Sequence, residues 1–462
     1  MDILLIDPPY VSLKGVATDT GYNIGLTSLA AYLRRAGFDT GVVMGDLIMQ
    51  PSARKTWLDF EDYAAGQRTY ERIVEDPGHS VWRQLGEFVR KTKPRAVGIA
   101  YLTPLKNVVD RVAALVKAID PDIRTILGSS HATFCPDEVL LDPNVDFVIG
   151  GEGEVPLAAL MTELQRDRPR FDLVPALTYR DQGQVRHNAP PPPIADLDSL
   201  PFPARDLVLN GDYAAYRDHY LSSARGCPYT CTFCADRRLW GGQVRRRSVA
   251  SVITELTELK AKYNVNVADF SDGTFTYDRR YLRQFCLAMA RQQLGIAWRC
   301  TARYDNVDEE SLKLMKQAGC TGLYFGLESG SERLLKIMDK RITVAQVLRA
   351  SEMVYASGML SATSVLFGLP DETAQDMKET LRLMRQLKTH LFDVNSYAPL
   401  AGTPLWDTMS EAERQAIDWR KVAFKSHDNY FLKHVLRDEF RKYLTEAYHI
   451  AGDIQRRTLG GG

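Results

Sequence analysis

The stretch SARGCPYTCTFCADRRLWG, residues 223–241, decides how the chain is interpreted. It carries three cysteines close together: Cys227, Cys231 and Cys234. A structural zinc site would need a fourth cysteine or histidine nearby, but the next cysteine is Cys286 and His219 precedes the stretch. Thiolates are soft ligands suited to zinc or to iron–sulfur clusters. Three thiolates on a four-iron cluster leave one iron open, so the spacing indicates a cluster that binds a small molecule directly.

The segments after this stretch alternate strand-like and helix-like patterns. Strand-like runs such as VADFSDG, GLYFGLE and ATSVLFG are separated by helix-period segments such as VASVITELTELKAKY. Six such pairs predict an incomplete parallel barrel, and barrel enzymes keep their chemistry at the carboxyl ends of the strands. The cysteines follow the first of these strands, YLSSARG, at that end.

The part of the chain before the cysteines shows a similar alternation, with strands such as ILLID and AVGIAY and helices such as LTSLAAYLRRAG. This pattern predicts a doubly wound, Rossmann-like domain whose ligand lies beyond the carboxyl ends of its strands. The proline-dense run APPPPIADLDSLPFPARDL predicts an extended linker. The expected fold class is therefore α/β, in four parts: a Rossmann-like domain at 1–185, a linker at 186–205, a partial barrel at 206–404 and a mainly helical extension at 405–462.

Composition excludes several classes of partner. The chain has 58 basic and 58 acidic side chains, so no net field attracts nucleic acid or an anionic membrane. The start MDILLIDPPY is broken too early by prolines to be a signal peptide, and no apolar run reaches bilayer length. Seven cysteines without a secretory signal favour a reducing compartment, and we expect a cytoplasmic protein.

The pattern C-x-x-x-C-x-aromatic-C, with Phe233 as the aromatic residue, resembles the signature of the radical S-adenosylmethionine (SAM) superfamily. The resemblance implies a 4Fe-4S cluster on Cys227, Cys231 and Cys234, with the methionine moiety of SAM on the open iron. It also implies reductive cleavage of SAM to a 5′-deoxyadenosyl radical that removes hydrogen from a substrate. An external one-electron donor, a flavodoxin- or ferredoxin-like protein or a partner reductase, is expected.

The same resemblance extends to the strand end YFGLESGS. It implies that Glu328, with Ser329 beside it, accepts hydrogen bonds from the ribose hydroxyls of SAM. The alternative interpretation is that Glu328 caps the helix that begins near Ser331.

Three further strand ends resemble SAM contacts of the superfamily. In DFSDGTFT, Ser271 and Asp272 would bind the methionine amino group. Arg303 would pair with the methionine carboxylate, although a surface ion pair is the alternative. In VLFGLPDET, Leu366 and Gly368 would form the wall beside adenine, although an apolar strand end is also ordinary core.

The order of a Rossmann-like domain, a proline linker and a cysteine-bearing barrel resembles the cobalamin-binding-domain group of that superfamily. The resemblance rests on LIDPP, GSSHATFCPDEVL and VDFVIGGEGE, among other segments, and makes cobalamin a candidate third cofactor. It places Pro8, Ser129, His131 and Glu152 on the cobalamin side. Because the motif D-x-H-x-x-G is missing from the sequence, we interpret His131 as a loop histidine that caps the helix of Asp137 or bonds backbone, rather than as a cobalt ligand.

The resemblance favours cobalamin-dependent C-methylation of a small molecule, such as a sugar or another secondary metabolite. Cobalamin-free dehydration, epimerisation or rearrangement, as in aminoglycoside diol dehydration, is an open alternative, because Tyr216, Asp218 and His219 form a group suited to proton transfer. These three residues also suit interdomain packing and ion pairing. Methylthiolation of tRNA fits poorly, because Cys135 is the one cysteine before the barrel. A cluster-based sensor without catalysis would make the SAM contacts coincidental.

Overall fold

The computed structural model describes residues 1–14, 22–49, 60–215, 219–426 and 428–459. Within these ranges the first part of the chain forms a seven-stranded sheet in the order β2-β1-β3-β4-β5-β6-β7. Its strands are β1 (Ile3–Asp7), β2 (Thr40–Met44), β3 (Ala96–Ala100), β4 (Arg124–Gly128), β5 (Phe147–Ile149), β6 (Leu177–Asp181) and β7 (Gln184–His187). The first five are parallel, and the antiparallel hairpin β6–β7 extends the sheet past β5.

Helices cover both faces of this sheet because its strands are apolar on both sides. Along β1, Ile3 and Leu5 pack into one core, and Leu4 and Ile6 pack into the other. The helices are α1 (Ile24–Arg35), α2 (Phe60–Glu75), α3 (Ser80–Thr92), α4 (Lys106–Ile119), α5 (Ser130–Phe134), α6 (Pro136–Val139) and α7 (Glu154–Glu163). This is the doubly wound arrangement that places a ligand at the carboxyl ends of the strands.

The second sheet carries the barrel. Two short strands, β9 (Ala224–Arg225) and β10 (Arg245–Arg246), pair antiparallel outside it. In the described residues it has six parallel strands in the order β15-β14-β13-β12-β11-β8. They are β8 (His219–Leu221), β11 (Val267–Phe270), β12 (Ala297–Ala302), β13 (Cys320–Glu328), β14 (Leu360–Phe367) and β15 (Leu391–Ser396). Because β8 and β15 stand at opposite ends of the order, the barrel is incomplete.

Helices surround the outer face of the second sheet and form most of the last part of the chain. They are α8 (Asp236–Leu239), α9 (Val249–Tyr263), α10 (Arg279–Gln292), α11 (Glu309–Gln317), α12 (Glu332–Ile337), α13 (Val344–Ala356), α14 (Ala374–Gln386), α15 (Pro404–Asp407), α16 (Glu411–Gln415) and α17 (Arg437–Leu459). Phe440 and Leu444 of α17 are buried in the same core as β14 and β15. Among the described helices, none combines the length and apolar character needed to cross a bilayer.

The α/β fold class predicted from the sequence is confirmed. The first sheet ends at His187 and the second begins at His219, with the proline-rich run between them. The four domain boundaries remain predictions, since a sheet edge does not define where a domain ends.

Candidate active site

The three clustered cysteines lie on a loop, residues 226–235, that we call the cysteine loop. Gly226 enters it with φ of 98°, and a Cβ there would lie 2.2 Å from the Gln243 carbonyl oxygen. Gly273, which follows β11, approaches from beneath, and a Cβ there would lie 3.2 Å from Cβ of Cys227. Glycine at both positions lets the backbone come close to the thiols.

All three thiols of the cysteine loop are free, and none of the remaining cysteines is on that loop. Cys286, Cys300 and Cys320 are buried in the barrel wall. Among the described residues, the tight group of ligand atoms that a single metal ion would need occurs elsewhere, around His131, and the three thiols do not form one. Burial raises the pKa of Cys231, so a cluster must stabilise the thiolate for it to ionise. The residues fit a multi-iron cluster better than a zinc ion.

Asp272 lies under the cysteine loop and holds the preceding segment in place. Its carboxylate accepts hydrogen bonds from the backbone N–H of Ser223 at 2.7 Å and of Ala224 at 3.1 Å, and from the Ser223 hydroxyl. The neighbouring Ser271 is exposed and donates its hydroxyl to the Leu221 carbonyl at 3.1 Å. The Asp272 carboxylate therefore forms hydrogen bonds within the protein, with Ser223 and Ala224. Its role toward an amino group remains a prediction.

Arg303, at the end of β12, lies against the cysteine loop. Its guanidinium stands 3.7 Å from the ring centre of Tyr229, which is between the first two cysteines. It donates to both carboxylate oxygens of Asp305, at 2.9 and 3.0 Å, and to the Lys340 carbonyl at 2.6 Å. The arginine is therefore buried in an internal ion pair beside the cluster position, and its pairing with a SAM carboxylate remains a prediction.

Glu328 ends β13 in a backbone conformation that few non-glycine residues adopt, with φ of 70°. Its carboxylate pairs with the Lys340 ammonium at 2.9 Å and accepts from the Ser364 hydroxyl at 3.3 Å. A Cβ on Gly326 would lie 2.5 Å from the Glu328 carboxylate and 2.7 Å from the Lys340 ammonium, so a larger residue there would displace this pair. The Glu328 carboxylate is therefore held by Lys340 and by Ser364 on β14. The residue that caps the next helix is Ser331, whose hydroxyl accepts from the Leu334 N–H. Glu328 therefore does not take the capping position that was its alternative interpretation.

The remaining predicted SAM contacts are divided between the site and the core. Phe233 is half-buried, with the Lys340 ammonium 5.8 Å from its ring centre. Ser329 is fully buried and bonds to the Thr380 hydroxyl of α14 at 3.1 Å. Gly368, with φ of 92°, leaves space for the ring of Phe440, and Leu366 is half-buried at the end of β14. Their contacts with a cofactor remain predictions.

A cavity of about 240 Å³ opens at the carboxyl edge of the first sheet. Its floor consists of glycine and aliphatic residues at the ends of β1, β3, β4 and β5, including Gly98 and Gly128. A Cβ on Gly98 would lie 2.6 Å from a methyl carbon of Leu5, so the floor depends on glycine. Arg225 and Trp240, which flank the cysteine loop, close the cavity from the barrel side. A ring system bound in this space would extend across the strand ends.

Glu152 and Glu154 on the first domain meet Arg225 and Arg245 on the barrel side, and we call these four residues the ionic interface. Glu152 pairs with Arg225 at 2.6 Å and with Arg245 at 2.8 Å, and Glu154 pairs with Arg225. The four side chains are between 5% and 16% exposed. Arg225 is two residues before Cys227, so the ionic interface ties the cavity to the cysteine loop.

The first domain meets the last part of the chain at a second place. Phe134 packs so closely against Gly402 that a Cβ on Gly402 would lie 2.2 Å from the ring. Trp406 and Ala401 are buried in the same cluster. We call these four residues the apolar interface.

His131 is near the apolar interface and is fully buried, with its ring centre 4.3 Å from that of Tyr101 and the two rings tilted by 32°. Its Nδ1 is 3.1 Å from the Thr103 hydroxyl, so it bonds a side chain where the sequence predicted a helix cap or a backbone partner. Burial lowers the pKa of His131 to about 3. Ser129, with φ of 79°, lines the cavity at the end of β4, and Pro8 is buried after β1.

Of the predicted proton-transfer group, Tyr216 and Asp218 lie outside the described residues. His219 begins β8 and is buried, with its ring 4.6 Å from that of Tyr213. The position of His219 agrees with the packing interpretation.

The barrel lumen contains polar pairs that sequence reasoning missed. Arg299 pairs with Asp269 across β12 and β11, through contacts of 2.5 and 2.6 Å. Tyr324 donates to the Asp393 carboxylate at 2.6 Å, and Lys425 pairs with the same carboxylate. Alternation along each strand points these residues inward, and that alternation was the available signal. No local sequence pattern indicated that Lys340 pairs with Glu328 or that Arg225 pairs with Glu152.

Two families match consecutive parts of the chain. Residues 11–161 match the B12 binding domain, and residues 221–384 match the radical SAM superfamily. The first match contains most of the residues that line the cavity, and the second contains the cysteine loop.

The chain is similar over most of its length to curated proteins. An uncharacterized methyltransferase of Pyrococcus horikoshii is 29% identical over 454 residues, which are 97% of this chain and 92% of that protein. The anaerobic magnesium-protoporphyrin IX monomethyl ester cyclase of Rubrivivax gelatinosus is 28% identical over 353 residues, 74% of this chain and 63% of that protein. These two relatives bear names for different reactions.

Among solved structures, the radical S-adenosylmethionine methyltransferase TsrM of Kitasatospora setae, determined with cobalamin and a 4Fe-4S cluster bound, has a similar fold. The TM-score is 0.66 at 16% identity, over 88% of this chain and 74% of that one. At this identity the similarity concerns the fold.

Proposed function

The chain belongs to the radical SAM superfamily and carries a B12 binding domain before its radical SAM domain, and from this premise we propose that it is a cobalamin-dependent C-methyltransferase acting on a small molecule. The observation that carries the proposal is the position of the cavity. It lies at the carboxyl edge of the B12 binding domain and is closed by Arg225 and Trp240, on either side of the cysteine loop. A corrin at that edge and a cluster on that loop would share one chamber.

The chain's own residues would hold the cofactors from opposite sides. Cys227, Cys231 and Cys234 would bind three irons of a 4Fe-4S cluster and leave the fourth for SAM. The glycine floor of the cavity would let a cobalamin ring lie close to the backbone. When bound, the cluster and SAM supply a radical that removes hydrogen from carbon, and cobalamin supplies the methyl group.

The barrel residues would orient SAM and keep the chamber dry. Glu328, already held by Lys340 at 2.9 Å, would accept hydrogen bonds from ribose. Arg303, fixed by Asp305 and stacked on Tyr229, would present a positive charge beside the cysteine loop. Because these side chains are paired before SAM arrives, little reorganisation would be needed.

The substrate would enter the barrel lumen, where Asp269, Arg299, Tyr324 and Asp393 present hydrogen-bonding groups. This lining suits a small polar molecule, such as a sugar or another secondary metabolite. Electrons would come from a flavodoxin- or ferredoxin-like protein or a partner reductase.

Radical cyclisation with cobalamin bound but without methyl transfer is the second candidate, and the cyclase of Rubrivivax gelatinosus supports it. Cobalamin-free dehydration or rearrangement has less support, since it leaves the cavity without a role. These reactions differ in their by-products. Methylation forms S-adenosylhomocysteine together with 5′-deoxyadenosine, whereas the other two form only 5′-deoxyadenosine from SAM.

Anaerobic reconstitution of the full chain with iron, sulfide and hydroxocobalamin tests the proposal. After desalting, we expect one corrin per chain by absorbance. With a reductant and SAM labelled in its methyl group, we expect both 5′-deoxyadenosine and S-adenosylhomocysteine. Retained corrin without S-adenosylhomocysteine would favour cyclisation, and loss of corrin on desalting would contradict the proposal.

A further inference from the structure

A second group of ligand atoms lies in the B12 binding domain, away from the cysteine loop. Nitrogen of His131, sulfur of Cys135 and a carboxylate oxygen of Glu138 all lie within 4.8 Å of one another. His131 is on α5, Glu138 is on α6, and Cys135 lies between the two helices with a non-helical φ of −131°. No step of the proposed methylation uses them.

One ring nitrogen of His131, Nε2, is available to bind a ligand. The imidazole is fully buried, and its Nδ1 is engaged with the Thr103 hydroxyl at 3.1 Å. Its Nε2 is buried without a hydrogen-bond partner among the described residues and faces Glu138, whose nearest carboxylate oxygen is 3.9 Å away. A buried ring nitrogen normally has a hydrogen-bond partner. In histidines that bind a metal through one ring nitrogen, the other nitrogen makes a hydrogen bond that orients the ring, as Nδ1 does here with Thr103.

A cation already lies beside this group. The Glu138 carboxylate approaches the Lys106 ammonium at 3.4 Å, and the same ammonium is 3.9 Å from Asp110. Lys106 therefore lies between two carboxylates and would compete with a metal ion for Glu138.

We propose that His131, Cys135 and Glu138 form a three-residue binding site for a zinc-like divalent cation. Imidazole, thiolate and carboxylate are the ligand types that zinc accepts, and water would complete the tetrahedron. The site would brace residues 129–139, which join the cavity rim at Ser129 to the apolar interface at Phe134. This site is independent of the proposed methylation.

Zinc analysis of the full-length chain tests the proposal. Because the cysteine loop could also take zinc, the background is the triple variant Cys227→Ala/Cys231→Ala/Cys234→Ala. After loading with zinc chloride and desalting, we expect one zinc per chain by elemental analysis. Cys135→Ser and Glu138→Gln should each weaken zinc binding by about tenfold or more. Cys320→Ser, which changes a buried thiol of the barrel, should not change it.

Two further measurements separate binding from misfolding. Lys106→Gln removes the competing ammonium and should tighten zinc binding, which a purely structural role would not predict. Cobalt(II) chloride added to the corrin-free triple variant should give a thiolate-to-cobalt charge-transfer band that Cys135→Ser abolishes. Less than one tenth of an equivalent of zinc in the folded triple variant, or equal zinc in Cys135→Ser, would overturn the proposal.

Discussion

Two of the interfaces between the first domain and the rest of the chain differ in character. At the ionic interface, Glu152 and Glu154 meet Arg225 and Arg245 with little exposure. At the apolar interface, Phe134 packs on Gly402 beside Trp406. Burying charges costs desolvation that pairing only partly offsets, whereas apolar packing stabilises directly. We therefore expect the ionic interface to position the cysteine loop and the apolar interface to stabilise the contact between the two parts of the chain.

Removing one cluster ligand should have the largest effect and should leave both interfaces intact. We expect Cys231→Ala to abolish 5′-deoxyadenosine formation from SAM, because a cluster held by two thiolates cannot present one open iron. The thermal unfolding midpoint should change little, since Cys231 is on a loop. Chromatographic assay of 5′-deoxyadenosine checks the result. Cys286→Ala, a buried cysteine on α10, is the control that should keep activity, and unchanged turnover in Cys231→Ala would refute the cluster assignment.

Breaking the ionic interface should come next. Arg225→Met leaves Glu152 and Glu154 buried without their shared partner, and we expect it to lower the free energy of unfolding by about 3–5 kcal/mol. Adding Glu154→Gln removes the charge that this change leaves unpaired, since Glu152 keeps Arg245, so the double variant should recover stability. If the ionic interface positions the cysteine loop, that variant should form less methylated product per 5′-deoxyadenosine than the unchanged chain, even though it is stable.

Denaturant unfolding and product analysis of both variants check this prediction. Arg238→Met is the matched control, because it breaks an exposed ion pair with Asp407 and should cost less than about 1 kcal/mol. If the stable double variant forms as much methylated product per 5′-deoxyadenosine as the unchanged chain, the ionic interface has no positioning role.

Crowding the apolar interface should affect stability rather than chemistry. Gly402 has φ of 83°, and a Cβ would overlap the ring of Phe134, so Gly402→Ala should lower the free energy of unfolding by about 2–3 kcal/mol. The comparison variant is Gly183→Ala, which has φ of 77° but no atom within 4 Å of its Cβ. Calorimetry should show a larger loss in Gly402→Ala. Equal losses would mean that backbone strain, not packing, decides the cost.

The smallest expected effect is a pH dependence near the apolar interface. Burial lowers the pKa of His131 from 6.5 to about 3, so the unfolded chain takes up a proton below pH 6.5 that the folded chain does not. Stability is therefore fully present above pH 6.5 and falls by about 1 kcal/mol over the first pH unit below it. Unfolding experiments in chelator should show this slope, and His131→Phe should flatten it. An unchanged slope in that variant would assign the effect to another group.

Much of the fold could be predicted from the sequence because its signals are local. The two sets of alternating strands and helices predicted two parallel sheets, and the hairpin over LTYRDQGQVRHN became β6 and β7. The three cysteines could be predicted because their spacing is short enough to define a ligand set. By contrast, the Lys340 partner of Glu328 lies beyond α12, and the lumen pair of Tyr324 and Asp393 spans 69 positions. Local patterns do not reveal such pairs.

By itself, the sequence determined the order of domains, the apolar faces that pack both sheets and the three thiols of the cysteine loop, since each depends on residues near in the chain. Only the tertiary structure decided which charges meet at the ionic interface, where the cavity opens, and that His131 faces Cys135 and Glu138. The physical reason is that burial and side-chain pairing depend on distances between elements far apart in sequence, and these distances exist only after the sheets and helices have packed.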